Sequence, residues 1–159
     1  RDSAIKIEIA RHLQSMATDD AGGDDAQREL ELLRQAVVDG VITTNYDLFL
    51  ESIFDGFEVF IGQDELLFSH PQGVGEIYKI HGCASQPNSI VLTQEDYDRF
   101  EARNPYLAAK LLTVFVEHPV VFLGYSLIDK NITAILSSIS KCLTGTNIEQ
   151  LRNRLIFVQ

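Results

Sequence analysis

Short apolar runs alternate along this chain with longer segments whose apolar residues recur at helical spacing. The helical periodicity predicts helices over 3–17, 26–38, 46–54, 95–102, 105–117 and 129–143. The short runs predict strands at 41–44, 57–61, 76–80, 89–92, 119–124 and 155–158. Strands that alternate with helices favour an α/β fold built on a parallel sheet.

Local signals predict how some helices begin and which faces they bury. Asp24 or Asp25 is expected to cap the helix at 26–38, because a carboxylate there meets free backbone N–H groups. Thr93 and Asp96 have the spacing of a capping box at the start of another helix. The residues of 26–38 that are expected to face inward are Leu30, Leu33 and Val37.

Three of the predicted strands end in polar or glycine residues. Thr43-Thr44-Asn45-Tyr46-Asp47 closes the first strand, His81-Gly82 follows the strand at 76–80, and Gly124-Tyr125-Ser126 follows a later one. Ligands bind at the carboxyl ends of the strands in open α/β sheets. The three clusters therefore predict one shared site.

Each cluster also has a structural interpretation. Asn45 or Asp47 is expected to cap the next helix, although one cap needs only one short polar residue. Ser126 is expected to cap a helix with Asp129 completing a capping box, and this is compatible with ligand binding. A single histidine is more often structural than catalytic. His81 is better placed than most, because it ends a strand, precedes glycine and can exchange a proton near neutral pH.

Composition narrows the classes of function. The 13 basic and 23 acidic residues give a formal net charge of −10, which opposes direct nucleic-acid binding. No apolar run approaches the roughly 18 residues of a membrane span, and the start of the sequence lacks the apolar region of a signal peptide. With two cysteines, Cys83 and Cys142, reduced thiols and a cytoplasmic location are the default expectation. The two cysteines and four histidines lack the spacing of a metal site.

The ordered set ITTNYD, KIHG and FLGYSLIDKN resembles the sirtuin-like (SIR2-like) domain. The closest resemblance is to its bacterial NAD-hydrolysing branch, which is found in multidomain anti-phage defence proteins, and it extends over about 41–131. It implies a Rossmann-like parallel sheet flanked by helices. It also implies an NAD+ hydrolase that cleaves NAD to nicotinamide and ADP-ribose without a metal.

The resemblance assigns a role to each cluster. The family's catalytic asparagine and histidine correspond to Asn45 and His81, and the matching carboxylate is Asp47. Asn45 is expected to orient the ribose or a water, and His81 to accept a proton. Asp47 is expected to favour positive charge that develops on the ribose. The remaining NAD contacts are expected from Thr43, Thr44, Gly82, Gly124, Tyr125, Ser126 and Asp129.

Two departures from the family pattern refine these expectations. Sirtuin deacylases carry two cysteine pairs between the catalytic histidine and the glycine-serine strand, but 82–123 holds one cysteine, so no zinc module is expected and protein deacylation is disfavoured. No glycine-rich turn precedes Val41, so the first strand and its dinucleotide loop are expected upstream of Arg1.

The chain is therefore expected to be one sirtuin-like domain, 1–159, cut from a longer multidomain protein. The other domains of that protein are expected partners, and a homo-oligomer is left open. The alternative function is a noncatalytic domain that binds NAD or ADP-ribose as a sensor or scaffold.

Overall fold

A computed structural model describes residues 2–16, 23–69, 74–124 and 129–158 of the chain. The chain divides into two compact units, the first covering Arg1–Leu92 and the second Thr93–Gln159. Both units combine helices with parallel strands, so the α/β class expected from the alternating pattern is confirmed.

A three-stranded parallel sheet forms the centre of the first unit. Its elements are α1 (Asp2–Met16), α2 (Asp24–Arg34), β1 (Gly40–Thr43), α3 (Phe49–Ile53), β2 (Glu58–Ile61) and β3 (Glu76–Lys79). The strand order is β1-β3-β2, so β3 is hydrogen-bonded on both sides. At its end, Lys79 pairs with Thr43 of β1 and with Ile61 of β2. A 3-10 turn at Pro87–Ser89 follows the sheet.

Burial in the first unit is greatest along β3, which is buried at every position. One apolar cluster joins Ile77 of β3 to Ile53 and Phe54, and Leu30 and Leu33 of α2 pack against it. A second cluster brings α1 against the turn region through Ala10, Ala84 and Ile90. The central strand is thus held by apolar contacts as well as by two ladders of hydrogen bonds.

The second unit combines a two-stranded parallel sheet with five helices in its described part. These elements are α4 (Gln94–Asp98), α5 (Phe100–Arg103), α6 (Pro105–Glu117), β4 (Val120–Leu123), α7 (Lys130–Cys142), α8 (Thr146–Arg154) and β5 (Leu155–Val158). β4 pairs with β5 in parallel. The Phe122 and Phe157 rings stack with centroids 4.5 Å apart, and Phe115 of α6 packs on Phe122.

Several sequence expectations were wrong in α2. The helix ends at Arg34 instead of reaching residue 38, and Val37 is fully exposed. The β-branched valines at 37 and 38 have only modest helix propensity, so the spacing of apolar residues overstated the length of the helix. Neither Asp24 nor Asp25 is the cap, because Gly23 occupies that position and the two aspartates lie in the first turn.

Three other elements differ from the expectation. The strand expected at 89–92 is wrong: a 3-10 turn takes up Pro87–Ser89, and the Val91 N–H bonds to the carbonyl of His81 without a continuous ladder. The helix expected at 95–102 is two short helices, α4 and α5. α8 was not predicted: it is largely polar and buries only Leu151, so it lacks an apolar repeat.

The capping box at Thr93 is confirmed and yields a prediction. The Thr93 hydroxyl accepts a hydrogen bond from the Asp96 N–H, and the Asp96 carboxylate accepts one from the Thr93 N–H. Thr93→Ala should lower the free energy of unfolding by about 1 kcal/mol, measured by urea unfolding.

The matched control is Thr113→Ala on the exposed side of α6, where the hydroxyl bonds to Ala109 within the helix. Alanine is a better helix former than threonine, so the expected change is within about 0.5 kcal/mol. Equal losses for the two variants would contradict the capping assignment.

Candidate active site

Two adjacent parallel strands of the first unit place Asn45 and His81 at the same sheet edge. Thr43 and Lys79 are paired in register, and the Ile80 N–H donates to the Thr43 carbonyl at 3.0 Å, which extends the ladder by one residue. Asn45 and His81 each follow the paired residue of their own strand by two positions. The structure thereby brings both predicted catalytic residues to the carboxyl ends of β1 and β3.

Hydrogen bonds fix the backbone that carries Asn45. The Asn45 N–H donates to the Thr43 hydroxyl at 3.1 Å, and the Tyr46 carbonyl accepts a bond from the Ala84 N–H at 2.7 Å. The Tyr46 hydroxyl donates to the Val91 carbonyl at 2.5 Å. Asn45 itself is exposed, and no hydrogen bond joins its side chain to another described residue. The backbone at Asn45 is therefore fixed, and its side-chain amide is exposed.

His81 is held in the opposite environment. It is 2% exposed, and its carbonyl accepts a bond from the Val91 N–H at 2.9 Å. The next residue, Gly82, has φ +91°, and a Cβ there would lie 2.4 Å from the Ser89 main-chain oxygen. The close approach that glycine permits here is therefore made by the chain's own backbone. A contact of Gly82 with NAD stays a prediction.

The structure gives Asp47 a structural role, although Leu48 and not Asp47 occupies the cap position of α3. Its Oδ1 accepts a hydrogen bond from the Phe49 N–H at 3.0 Å, at the start of α3. The preceding Thr43 is buried and Thr44 is half-buried. Thr43 uses its hydroxyl to hold Asn45. Roles for Asp47, Thr43 and Thr44 toward NAD stay predictions.

The third predicted cluster belongs to the second unit. Gly124 follows β4 with φ +59°, a conformation that favours glycine, and Tyr125 and Ser126 lie outside the described residues. Asp129 caps α7: its Oδ1 accepts from the Ile132 N–H at 3.0 Å. The expected capping box is therefore wrong for Asp129, which precedes the helix as its cap and does not lie at its third position; Ser126 lies outside the described residues.

A comparison with known families shows to which family this chain belongs. The sequence matches the family model of the SIR2-like domain over residues 39–158, which includes every predicted site residue. The chain belongs to the SIR2-like domain family. The resemblance inferred from the three motifs is thus confirmed, together with the Rossmann-type α/β fold it implied.

Individual relatives of this SIR2-like domain come from bacteria. It is 29% identical to NAD(+) hydrolase ThsA of Cytobacillus dafuensis over 112 residues, which are 68% of this chain and 23% of the relative. It is 31% identical to NAD(+) hydrolase ThsA of Enterococcus faecium over 102 residues, 61% of this chain and 21% of the relative. It is 27% identical to defense-associated sirtuin 2 of Bacillus subtilis over 108 residues, 64% of this chain and 10% of the relative. The chain therefore spans only 10% to 23% of the length of these relatives.

Sequence reasoning missed one charged group beside the site of the SIR2-like domain. Lys79 of β3 is 1% exposed, donates a hydrogen bond to the Asp47 carbonyl and lies 2.9 Å from Glu51 of α3. The available signal was a lysine within the apolar run Ile77-Tyr78-Lys79-Ile80. Lysine is almost never fully buried unless it is paired.

Three further features of the SIR2-like domain concern metal binding, membrane spanning and a cavity. Within the described ranges, no group of three or more His, Cys, Asp or Glu side chains could hold a metal ion. No helix in those ranges is long and apolar enough to cross a membrane. A cavity of about 380 Å³ in the second unit is lined by residues of α4 to α7, among them Tyr97 and Ser138, and none of its described lining residues is a predicted site residue.

The packing at Gly82 of the SIR2-like domain predicts a large loss of stability for Gly82→Ala. The substitution combines a left-handed backbone with overlap against Ser89, so it should cost more than about 3 kcal/mol in urea unfolding.

Gly56→Ala is the matched control, because Gly56 has a similar φ of +86° but nothing within 4 Å of an added Cβ. It should lose only the backbone preference, about 1 kcal/mol. Similar costs at the two positions would show that the space beside Gly82 is not closed by backbone.

Proposed function

We propose that this SIR2-like domain is the NAD-cleaving module of a longer anti-phage defence protein. The observation that carries the proposal is the shared position of Asn45 and His81, each two residues beyond the paired Thr43 and Lys79. The names of the relatives, NAD(+) hydrolase and defense-associated sirtuin, support the same activity and setting.

The proposed reaction is the hydrolysis of NAD+ to nicotinamide, ADP-ribose and a proton. The bond between ribose C1′ and the nicotinamide nitrogen breaks, and its electron pair leaves with nicotinamide. The pyridinium ring thereby becomes neutral, so the leaving group needs no proton. Water forms the new bond to C1′ and loses a proton, while positive charge develops on the ribose in the transition state, as in other glycoside cleavages.

The two residues are proposed for different parts of this reaction. The exposed Asn45 amide, on a fixed backbone, would orient the ribose or the attacking water. His81 would accept the proton from that water or from a ribose hydroxyl. Asp47 would favour positive charge on the ribose. Its Oδ1 already bonds to the Phe49 N–H, so a ligand contact is expected through Oδ2.

The other NAD contacts are proposals that rest on the family resemblance. They are Thr43, Thr44, Gly82, Gly124, Tyr125, Ser126 and Asp129. We also propose the other domains of the parent protein as partners, since the relatives are much longer than this chain. A homo-oligomer and a cytoplasmic location stay predictions.

The activity is tested with the purified full-length parent, mixed with an extract of phage-infected cells as the source of activator. Nicotinamide release from NAD is followed by liquid chromatography. Asn45→Ala and His81→Gln should each lower the rate by about 100-fold or more, because each removes a group that acts on the reacting atoms. The glutamine in His81→Gln keeps a polar side chain of similar size in the buried position.

Two controls replace the same residue types on exposed helical surfaces, His12→Gln in α1 and Asn153→Ala in α8. Both should keep the parental rate. A His81→Gln variant as fast as the parent would overturn the assignment of the base. A parent that binds NAD but releases no nicotinamide would favour the noncatalytic sensor over the hydrolase.

A further inference from the structure

Lys79 occupies a position that ordinarily excludes charge. It ends the central strand β3, with ladder partners on both sides, and its side chain is 1% exposed. Removing an ammonium group from water is costly unless opposite charge and hydrogen-bond acceptors replace the water. The groups around the Lys79 Nζ atom therefore explain how this residue is tolerated there.

Two groups from the segment after β1 surround this ammonium group. Nζ donates a hydrogen bond to the Asp47 main-chain carbonyl and lies 2.9 Å from Glu51 Oε1 in α3. Both Glu51 oxygens are shielded from water, and neither accepts an aligned hydrogen bond from a described residue. Among the described residues, the ion pair with Lys79 is thus what compensates the charge of Glu51.

The ammonium group joins the two backbone segments that carry the proposed catalytic residues. Lys79 precedes His81 by two residues, and Asp47 follows Asn45 by two. We propose that Lys79, oriented by Glu51, is a positioning residue that fixes Asn45 relative to His81. The inference rests on the proposed function and assigns neither residue a contact with NAD.

The remaining bonds of the segment indicate that the effect of losing Lys79 is local. Tyr46 stays anchored by its carbonyl and its hydroxyl, to Ala84 and Val91. The Asp47 end would lose its bond to β3. A shift of about 1 Å in a catalytic group can cost about 100-fold in rate even when the fold is intact.

The test uses three variants of the full-length parent: Lys79→Met, Glu51→Gln and the double variant. Lys79→Met alone leaves the Glu51 carboxylate buried without its partner charge, so the urea midpoint and kcat should both fall. Adding Glu51→Gln removes that charge, so the urea midpoint should recover. The Asp47 carbonyl still lacks its donor, so kcat should stay about 10- to 100-fold low, with a smaller change in KM. Lys141→Met, exposed on α7, is the matched control and should change neither quantity.

Recovery of kcat together with the urea midpoint in the double variant would overturn the inference and leave the pair a merely structural role. If the unmodified parent leaves NAD intact, the proposed function fails. Hydrogen exchange then tests separately whether Lys79 holds the segment at Asp47. In the double variant the Phe49 amide should exchange severalfold faster while the amides of β1 and β3 keep their parental protection. Unchanged exchange at Phe49 would show that Lys79 does not hold this segment.

Discussion

The parallel pairing of β3 with strands on both sides is the constraint on which the candidate site depends. Parallel neighbours end at the same edge, so residues that follow β1 and β3 are brought together although 36 positions separate Thr43 from its partner Lys79. The register matters because a slip of one residue would turn every side chain of a strand to the other face. β3 is buried along its whole length, and this burial opposes such a slip.

The position of the residues after β1 and β3 depends on contacts that hold the backbone following each strand. The segment 87–91 contributes at three points: Ser89 fills the space beside Gly82, the Val91 N–H bonds to His81, and the Val91 carbonyl accepts from Tyr46. One short segment thus contacts residues that follow β1 and residues that follow β3. This region was expected to be a strand, but the 3-10 turn at Pro87–Ser89 replaces the strand and places these contacts instead.

The sequence predicted the parts of the molecule that have local signals. The parallel strands, the capping box at Thr93 and the strand-end positions of Asn45 and His81 follow from short patterns of apolar and polar residues. The polar helix α8 and the early end of α2 lack such a pattern. The bond of Lys79 to Asp47 spans 32 positions, so no local pattern reveals it. Such contacts depend on tertiary packing, which periodicity does not describe.

In the polar cluster at 43–47, some side chains bond to the protein's own backbone, while another is exposed and available to a ligand. A hydrogen bond from the Phe49 N–H occupies Asp47, and the Thr43 hydroxyl holds the Asn45 N–H, so both side chains serve the backbone. The Asn45 side chain serves no such purpose among the described residues, and it is exposed. Because several bonds fix the backbone that carries this amide, the backbone has lost conformational entropy before any ligand arrives, and this reduces the entropy lost on binding. Asn45 is therefore the polar residue that the local backbone does not require, and it is the member of the cluster most suited to contact a ligand.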